Sequence, residues 1–425
     1  MKKNQEKIKK IIKEVKERIT LNEEELSEIN SNAKKIISLL RESIKKNKVI
    51  AEVFVGGSVA KKTVIKSGII DVDLYLRFKD NKEMKKFEKV VKGIKKEHKM
   101  IHGSRDYYRI KEGTIVYEII PVLRISSPKK AENVTDLSYY HVNYVLGKIR
   151  KNKNLAGEIA IAKDYCKALG VYGAESYVKG FSGYSLELLI IKYGTFNKMI
   201  NELIKEKKKI VIDEEKHYKN DDEAMVMMNE AKLESPIILV DPTYKERNAL
   251  AALSEETFKK FVEETKKFLN NPRKEFFEKK EINKEELKKE AKKKNAEYTE
   301  IIISTNKQEG DIAGTKMLKY SKYLIAEISK SRKIIKNEFV YDKGKTSKLH
   351  IISKKIPTII INGPPIKMIQ ALENFRKKHD KVMIKKGRAY VETKNDKNAK
   401  ETINGLLKER KKDTKGMGIT KVVLK

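Results

Sequence analysis

Two aspartates, Asp71 and Asp73, stand two apart in the apolar run Ile69-Ile70-Asp71-Val72-Asp73-Leu74-Tyr75-Leu76. In an extended chain that spacing puts both carboxylates on one face. Carboxylates sharing a face repel each other unless a cation lies between them. Taken alone, such a pair reads as the solvated side of an edge strand, but its surroundings argue otherwise. Gly56-Gly57-Ser58 ends a β-branched run 13 residues before Asp71, and glycine lets backbone amides approach a phosphate. A third carboxylate, Glu118, stands among Ile115, Ile119 and Ile120. Three carboxylates beside a phosphate-binding turn suit Mg²⁺, which takes oxygen ligands from protein and substrate phosphate alike. Two such ions about 3.5–4 Å apart activate an attacking hydroxyl and stabilise the leaving oxygen of an in-line displacement. The chemistry implied is phosphoryl or nucleotidyl transfer. Neither GxxxxGK[ST] nor a GxGxxG at a strand–helix junction occurs, which argues against a P-loop or dinucleotide-binding fold.

The elements that must position these residues follow from periodicity. Residues 1–46 read as helices, with Thr20 and Glu23 at capping-box spacing and Ile29, Ala33, Ile36, Ile37 and Leu40 forming one apolar face. Strands are expected at 49–55, 69–76 and 114–119, the last stopped by Pro121, with a lysine-rich helix at 83–98. Residues 136–205 read as mostly helical, and 186–191 is apolar enough for a core helix. Short strands at 209–212 and 237–240 flank a polar stretch that reads as an exposed loop, and 257–269 is an amphipathic helix. The nearly all-charged segment 273–295 marks a boundary. Beyond it strands (298–304, 349–353, 358–361, 381–393) and helices (314–330, 366–378) make a small α+β layer domain.

The 425 residues suffice for two to four domains, and 39% hydrophobic content suffices for real cores. Lys and Arg total 96 against 60 Asp and Glu, a net charge of +36. Such an excess repels itself unless a polyanion answers it, and nucleic acid is the obvious one. Only 13 of the 96 cations are arginine, so a general lysine bias accounts for part of the excess. The single cysteine, Cys166, excludes an internal disulfide and a cysteine zinc site. No apolar run approaches the 18 residues or so of a membrane span, and the basic N-terminus lacks the apolar core of a signal peptide. A cytoplasmic protein is expected.

The pattern Gly57-Ser58, Asp71-Val72-Asp73 and Glu118 resembles the polymerase-β-like nucleotidyltransferase superfamily. The segments 170–175, 180–184 and Glu187-Leu188-Leu189 are similar to the central signature of the archaeal (class I) CCA-adding enzymes, the tRNA nucleotidyltransferases. So are Asp241-Pro242-Thr243 with Arg247-Asn248, and Gly363-Pro364-Pro365 ahead of a helix. The resemblance spreads over most of residues 1–395. It implies an α+β, multidomain fold. A polymerase-β-like palm with a mixed sheet fills 1–140, and a mainly helical domain binding nucleotide and tRNA fills 141–280. A small α+β tRNA-binding domain fills 281–400, and 401–425 is left as a basic tail.

The resemblance further implies addition of CCA to a tRNA 3′ end from CTP and ATP. Asp71, Asp73 and Glu118 become the catalytic, Mg²⁺-binding carboxylates. Gly57, Ser58 and Lys61 hold the triphosphate, His141, Lys163 and Tyr172 contact nucleotide, and Arg247 reads the incoming base. The partners implied are the tRNA 3′ end and acceptor stem; monomer and homodimer both stay open. Three departures mark this chain: Lys62 stands where the family usually has glycine, an extra residue falls at 66–68, and the third carboxylate is Glu rather than the commoner Asp. A poly(A)-polymerase-like RNA nucleotidyltransferase and a catalytically inactive RNA-binding paralogue remain the alternatives.

Overall fold

The computed structural model describes residues 2–66, 68–205, 209–228 and 230–425. The extra residue expected before Asp71 centres on Ser67, which lies outside them. The chain divides into two compact units, Met1–Lys280 and Glu281–Lys425.

In the first unit, α1 (Lys2–Ile19) and α2 (Glu23–Lys46) precede β1 (Ala51–Val55), the short α3 (Gly57–Ala60) and β2 (Ile70–Phe78). Then come α4 (Asn81–Met84), α5 (Phe87–Gly93), β3 (Lys99–Ile101), β4 (Tyr107–Glu112) and β5 (Ile115–Leu123). The five strands form one sheet in the order β1-β2-β5-β4-β3, parallel between β2 and β5 and antiparallel elsewhere. Strand alternation does the positioning. Val72, Leu74, Leu76 and Phe78 are buried with Tyr117 and Ile119 in a core shared with α2 and α5, so Asp71, Asp73, Tyr75 and Arg77 point to the opposite face.

Several expectations are corrected here. The box capping α2 is Asn22 with Glu25, whereas the Thr20 hydroxyl donates to the Lys16 carbonyl at the end of α1. The single helix expected at 83–98 is α4 and α5, closed by Gly93 and by Lys95 at φ +53°. Pro121 does not stop β5. Pairing with β4 ends at Tyr108–Ile119 while pairing with β2 runs on to Leu123, so the proline sits where one flank of the strand has no ladder to break.

The rest of this unit contains α6 (Ser138–Lys151), α7 (Asn154–Ala168), α8 (Gly183–Tyr193) and α9 (Phe196–Leu203). It continues through β6 (Ile210–Ile212), α10 (Asp221–Met227), α11 (Glu230–Leu233), β7 (Ile237–Asp241), β8 (Tyr244–Asn248) and α12 (Glu255–Asn270). The stretch expected as an exposed loop thus carries α10 and α11; Asn220 caps α10, and Ala224 is buried beside Ile238 and Val240. Leu186, Leu188, Leu189 and Ile190 of α8 pack with α7, α9, α12 and α1 in a second core.

In the second unit, α13 (Lys284–Lys293), β9 (Glu297–Thr305), α14 (Asp311–Ser329), β10 (Arg332–Tyr341) and β11 (Thr346–Lys355) are followed by β12 (Thr358–Pro365) and α15 (Ile369–Lys378). β13 (Met383–Lys385) and β14 (Arg388–Lys394) replace the one strand expected at 381–393, split by a turn with Gly387 at φ +72°. The segment set aside as a basic tail is ordered: α16 (Ala399–Glu409) and α17 (Lys411–Gly416) lead into β15 (Ile419–Leu424), an edge strand on β9 in the sheet β10-β11-β9-β15. Ile403 and Ile419 are buried in that sheet's core. Among the described residues no helix is long and apolar enough to cross a membrane.

Candidate active site

Asp73 lies directly opposite Glu118 in the parallel β2–β5 register, and Glu118 lies opposite Arg109 on β4. Asp71 shares their face one pleat away. The turn after β1 closes on this row. The Gly56 amide donates to the Asp73 carbonyl at 2.9 Å. Gly57 holds φ +58°, and a β-carbon there would fall 1.6 Å from Asp73 Oδ2. Only glycine lets this backbone reach the carboxylate. Ser58 follows in the same turn, half-buried.

Burial, and then the negative charges of Glu118 and Asp71, push the Asp73 carboxyl up to about 7 from an ordinary 3.8, with Lys61 and Lys163 pulling the other way. A hard divalent cation relieves that repulsion, so the donor set fits one. As they stand the three carboxylates are not gathered: among the described residues no three ligating side chains form a ready metal cluster. Glu118 Oε1 is held by Arg109 through Nε at 2.7 Å and Nη2 at 2.5 Å.

Across from Asp73 lies a buried polar knot. Lys61 Nζ donates to Glu187 Oε2 at 2.6 Å, and Lys163 Nζ donates to Glu187 Oε1 and to the Thr63 hydroxyl, both at 2.9 Å. Both lysines and Glu187 are buried. Burial alone would raise the Glu187 carboxyl, but Lys163 and Lys61 hold it below the usual range, and burial lowers the Lys163 ammonium despite Glu187. Two cations share one carboxylate, and each ammonium keeps donors beyond the bonds it makes. Such a knot is ready for an anion. Tyr172 is tucked beside it: a β-carbon on Gly183 would fall 2.9 Å from its hydroxyl oxygen.

A second knot surrounds Asp241. Its Oδ2 lies 2.9 Å from His141 Nε2 and accepts from Arg247 Nη1 at 2.7 Å. Its Oδ1 accepts from the Tyr184 hydroxyl at 3.0 Å and from the Thr243 amide and hydroxyl at 2.9 and 2.8 Å. Burial works against the charged carboxylate, yet the His141 contact, Arg247 and the Thr243 amide hold its pKa well below the ordinary value. His141 stacks on Tyr184 with centroids 4.0 Å apart, and burial lowers its own pKa. The charges of Arg247 and Lys61 both act on His141, so the two knots border one region.

The structure therefore brings Asp71, Asp73, Glu118, Gly57, Ser58, Lys61 and Lys163 to the carboxylate end, with Tyr172 beside them, and His141 and Arg247 to the other. Sequence reasoning passed over Arg109, and named Tyr184, Glu187 and Asp241 only within the family signatures, without a role. Glu187 carried a signal: a lone charge inside the apolar helix Leu186–Ile191 needs a buried partner. Asp241 carried a weaker one, a carboxylate closing the apolar run Ile237-Ile238-Leu239-Val240.

Residues 157–278 match the family tRNA nucleotidyltransferase, second domain, and residues 6–138 match the Second Messenger Oligonucleotide or Dinucleotide Synthetase domain. The chain is 33% identical over 367 residues to a CCA-adding enzyme of Nanoarchaeum equitans, covering 84% of this chain and 88% of that protein. It is 27% identical over 407 residues to a CCA-adding enzyme of Methanocaldococcus jannaschii, covering 92% and 88%. A solved cytoplasmic RNA terminal U-transferase superposes with a TM-score of 0.50 at 14% identity, over 65% of this chain and 99% of that one. The shared fold is that of the polymerase-β-like nucleotidyltransferases, as the motifs implied.

Proposed function

Because the chain belongs to the CCA-adding enzyme family, we propose that it adds CMP, CMP and AMP in turn to the 3′ end of tRNA, at the row Asp71–Asp73–Glu118. The observation that carries this reading is the juxtaposition at Asp73. One half-buried carboxylate meets a second in register, a glycine turn and the field of two buried lysines. That combination suits nucleotidyl transfer, which needs charge to be held beside a phosphate-binding turn.

In this reaction the terminal ribose hydroxyl forms a bond to the nucleotide α-phosphate, and the bond from that phosphorus to pyrophosphate breaks. The protein's contribution is positioning and charge stabilisation. Gly57 lets the turn lie against the phosphates, where the Ser58 hydroxyl and the unused donors of Lys61 and Lys163 bind the triphosphate. Tyr172 fills the wall beside Lys163, and His141 and Arg247 meet the sugar–base end. Asp71, Asp73 and Glu118 would hold the divalent metal, Mg²⁺ in this reading. When bound, it supplies the positive charge that neutralises the attacking and leaving oxygens. To hold the metal, Glu118 would have to give up its Arg109 contact, and its extra methylene would give that carboxylate a longer reach than an aspartate. The central helices and the second unit bind the tRNA acceptor stem and adjoining arm through dispersed lysines, in keeping with recognition of A-form RNA by shape and phosphate. Such an enzyme works in the cytoplasm.

The test uses a tRNA transcript lacking its 3′ CCA, Mg²⁺, and CTP and ATP supplied singly and together, with products sized at single-nucleotide resolution. Two additions from CTP alone and a third only with ATP present are expected. An unbounded ladder of A residues would identify a poly(A)-type transferase instead, and tight tRNA binding without any product an inactive paralogue.

A further inference from the structure

We propose that Asp241 sets which base is accepted, as a positioning residue for Arg247 and His141; this rests on the reading of the pocket given above. Asp241 is the last residue of β7 and fully buried. Its partners come from α6 (His141), α8 (Tyr184), the β7–β8 turn (Thr243) and β8 (Arg247). Every one of them is a donor. The guanidinium, hydroxyls and amide point hydrogens at the carboxylate, and an anion can only accept, so His141 carries its proton on Nε2. One carboxylate thus fixes the imidazole tautomer and anchors one end of the guanidinium. It engages Arg247 through Nη1, and the remaining N–H groups of the fork stay available to a base or phosphate edge. Tyr184 completes the assembly: its ring stacks on His141 at 4.0 Å and lies 5.8 Å from the Arg247 guanidinium carbon.

The knot around Glu187 makes a built-in comparison. Glu187 orients Lys61 and Lys163, whose natural target is phosphate, and phosphate is common to CTP and ATP. Asp241 orients groups at the other end of the pocket, where the two nucleotides differ. Neutralising Glu187 should weaken both nucleotides alike. Neutralising Asp241 should change the ratio between them, because an asparagine turns its NH₂ toward donors on one side and at least one of the five bonds is lost.

The experiment measures kcat/KM for CTP and for ATP on a tRNA ending in the two added cytidines, with the full-length chain. It compares wild type with Asp241→Asn, Tyr184→Phe and Glu187→Gln. Asp241→Asn is expected to cut the preference for ATP over CTP about tenfold or more, the scale of one charge-assisted hydrogen bond. Tyr184→Phe keeps the ring and loses one bond, so it shifts the same ratio by less; it carries the test if Asp241→Asn does not fold. Glu187→Gln is expected to lower both nucleotides by one factor. An unchanged ratio in Asp241→Asn and Tyr184→Phe, or an equal shift in Glu187→Gln, overturns the proposal. A wild-type enzyme that never switches from CTP to ATP overturns the functional reading itself, a result distinct from either.

Discussion

Lys62 holds φ +55°, a left-handed backbone that costs a residue with a β-carbon roughly 1–2 kcal/mol, and it stands where the family resemblance leads one to expect glycine. The exposed side chain gives nothing back, so Lys62→Gly should stabilise the chain by about 0.5–1 kcal/mol after the entropy cost of glycine. Urea melts measure this, and a loss of stability would refute it. Asp73 makes a second prediction. Its folded carboxyl, pushed up to about 7, binds a proton that the unfolded chain has shed above about 4, so its contribution to stability falls as pH rises through that window. Without metal, wild type should lose stability relative to Asp73→Asn between pH 5 and pH 8, and Mg²⁺ should restore it at pH 8 in wild type only. Parallel pH trends in the two proteins would remove Asp73 as the cause. The carboxylates were legible in the sequence because alternation in a strand is local. The roles of Glu187 and Asp241 were not, because their partners lie far away in the chain, 126 residues for Lys61 and 100 for His141.

Legibility among the elements follows position in the sheet in part. β2 and the apolar helix α8 stood out because one face or all faces are buried. The overlooked strands β3, β8, β10 and β15 are sheet edges, and so is β13, which was merged with the inner β14, although the edge strands β1, β6 and β12 were expected. Edge strands carry charged, solvated residues that suppress pairing with other chains, and the same residues make them read as loop. β4 lies inside its sheet, but its sequence Tyr107-Tyr108-Arg109-Ile110-Lys111-Glu112 sends polar groups to the open face that holds Glu118. β15 tests this view. Ile419 is 2% exposed in the core of the second unit, so Ile419→Ala should cost ~2–4 kcal/mol in a urea melt. A change within about 0.5 kcal/mol, as for an ordinary surface site, would mean that the C-terminal segment is indeed a tail.

Across the whole molecule the net charge of +36 shapes the encounter with RNA. Neutralising tRNA phosphates releases counterions, so log affinity should fall linearly with log salt; six to ten contacts would cost roughly 10³–10⁵ in affinity between 50 and 200 mM. Filter binding across that range measures the slope, and a flat response would separate the charge excess from RNA recognition. Lysine bias is visible in the backbone too: of nine non-glycine residues at positive φ among those described, eight are lysine and one is Asn295. Lysine has thus been placed even where chain geometry favours glycine, and net charge alone could not have identified the substrate. In this reading tRNA binding is spread over the molecule while chemistry is confined to the row at Asp73. Single-turnover addition of CMP to a tRNA lacking CCA, measured beside tRNA affinity in wild type and Asp73→Asn, tests it most directly. The variant should bind tRNA as wild type does and lose ~10³-fold or more in rate, about 4 kcal/mol of barrier. A variant that adds CMP at the wild-type rate would place the chemistry away from Asp73.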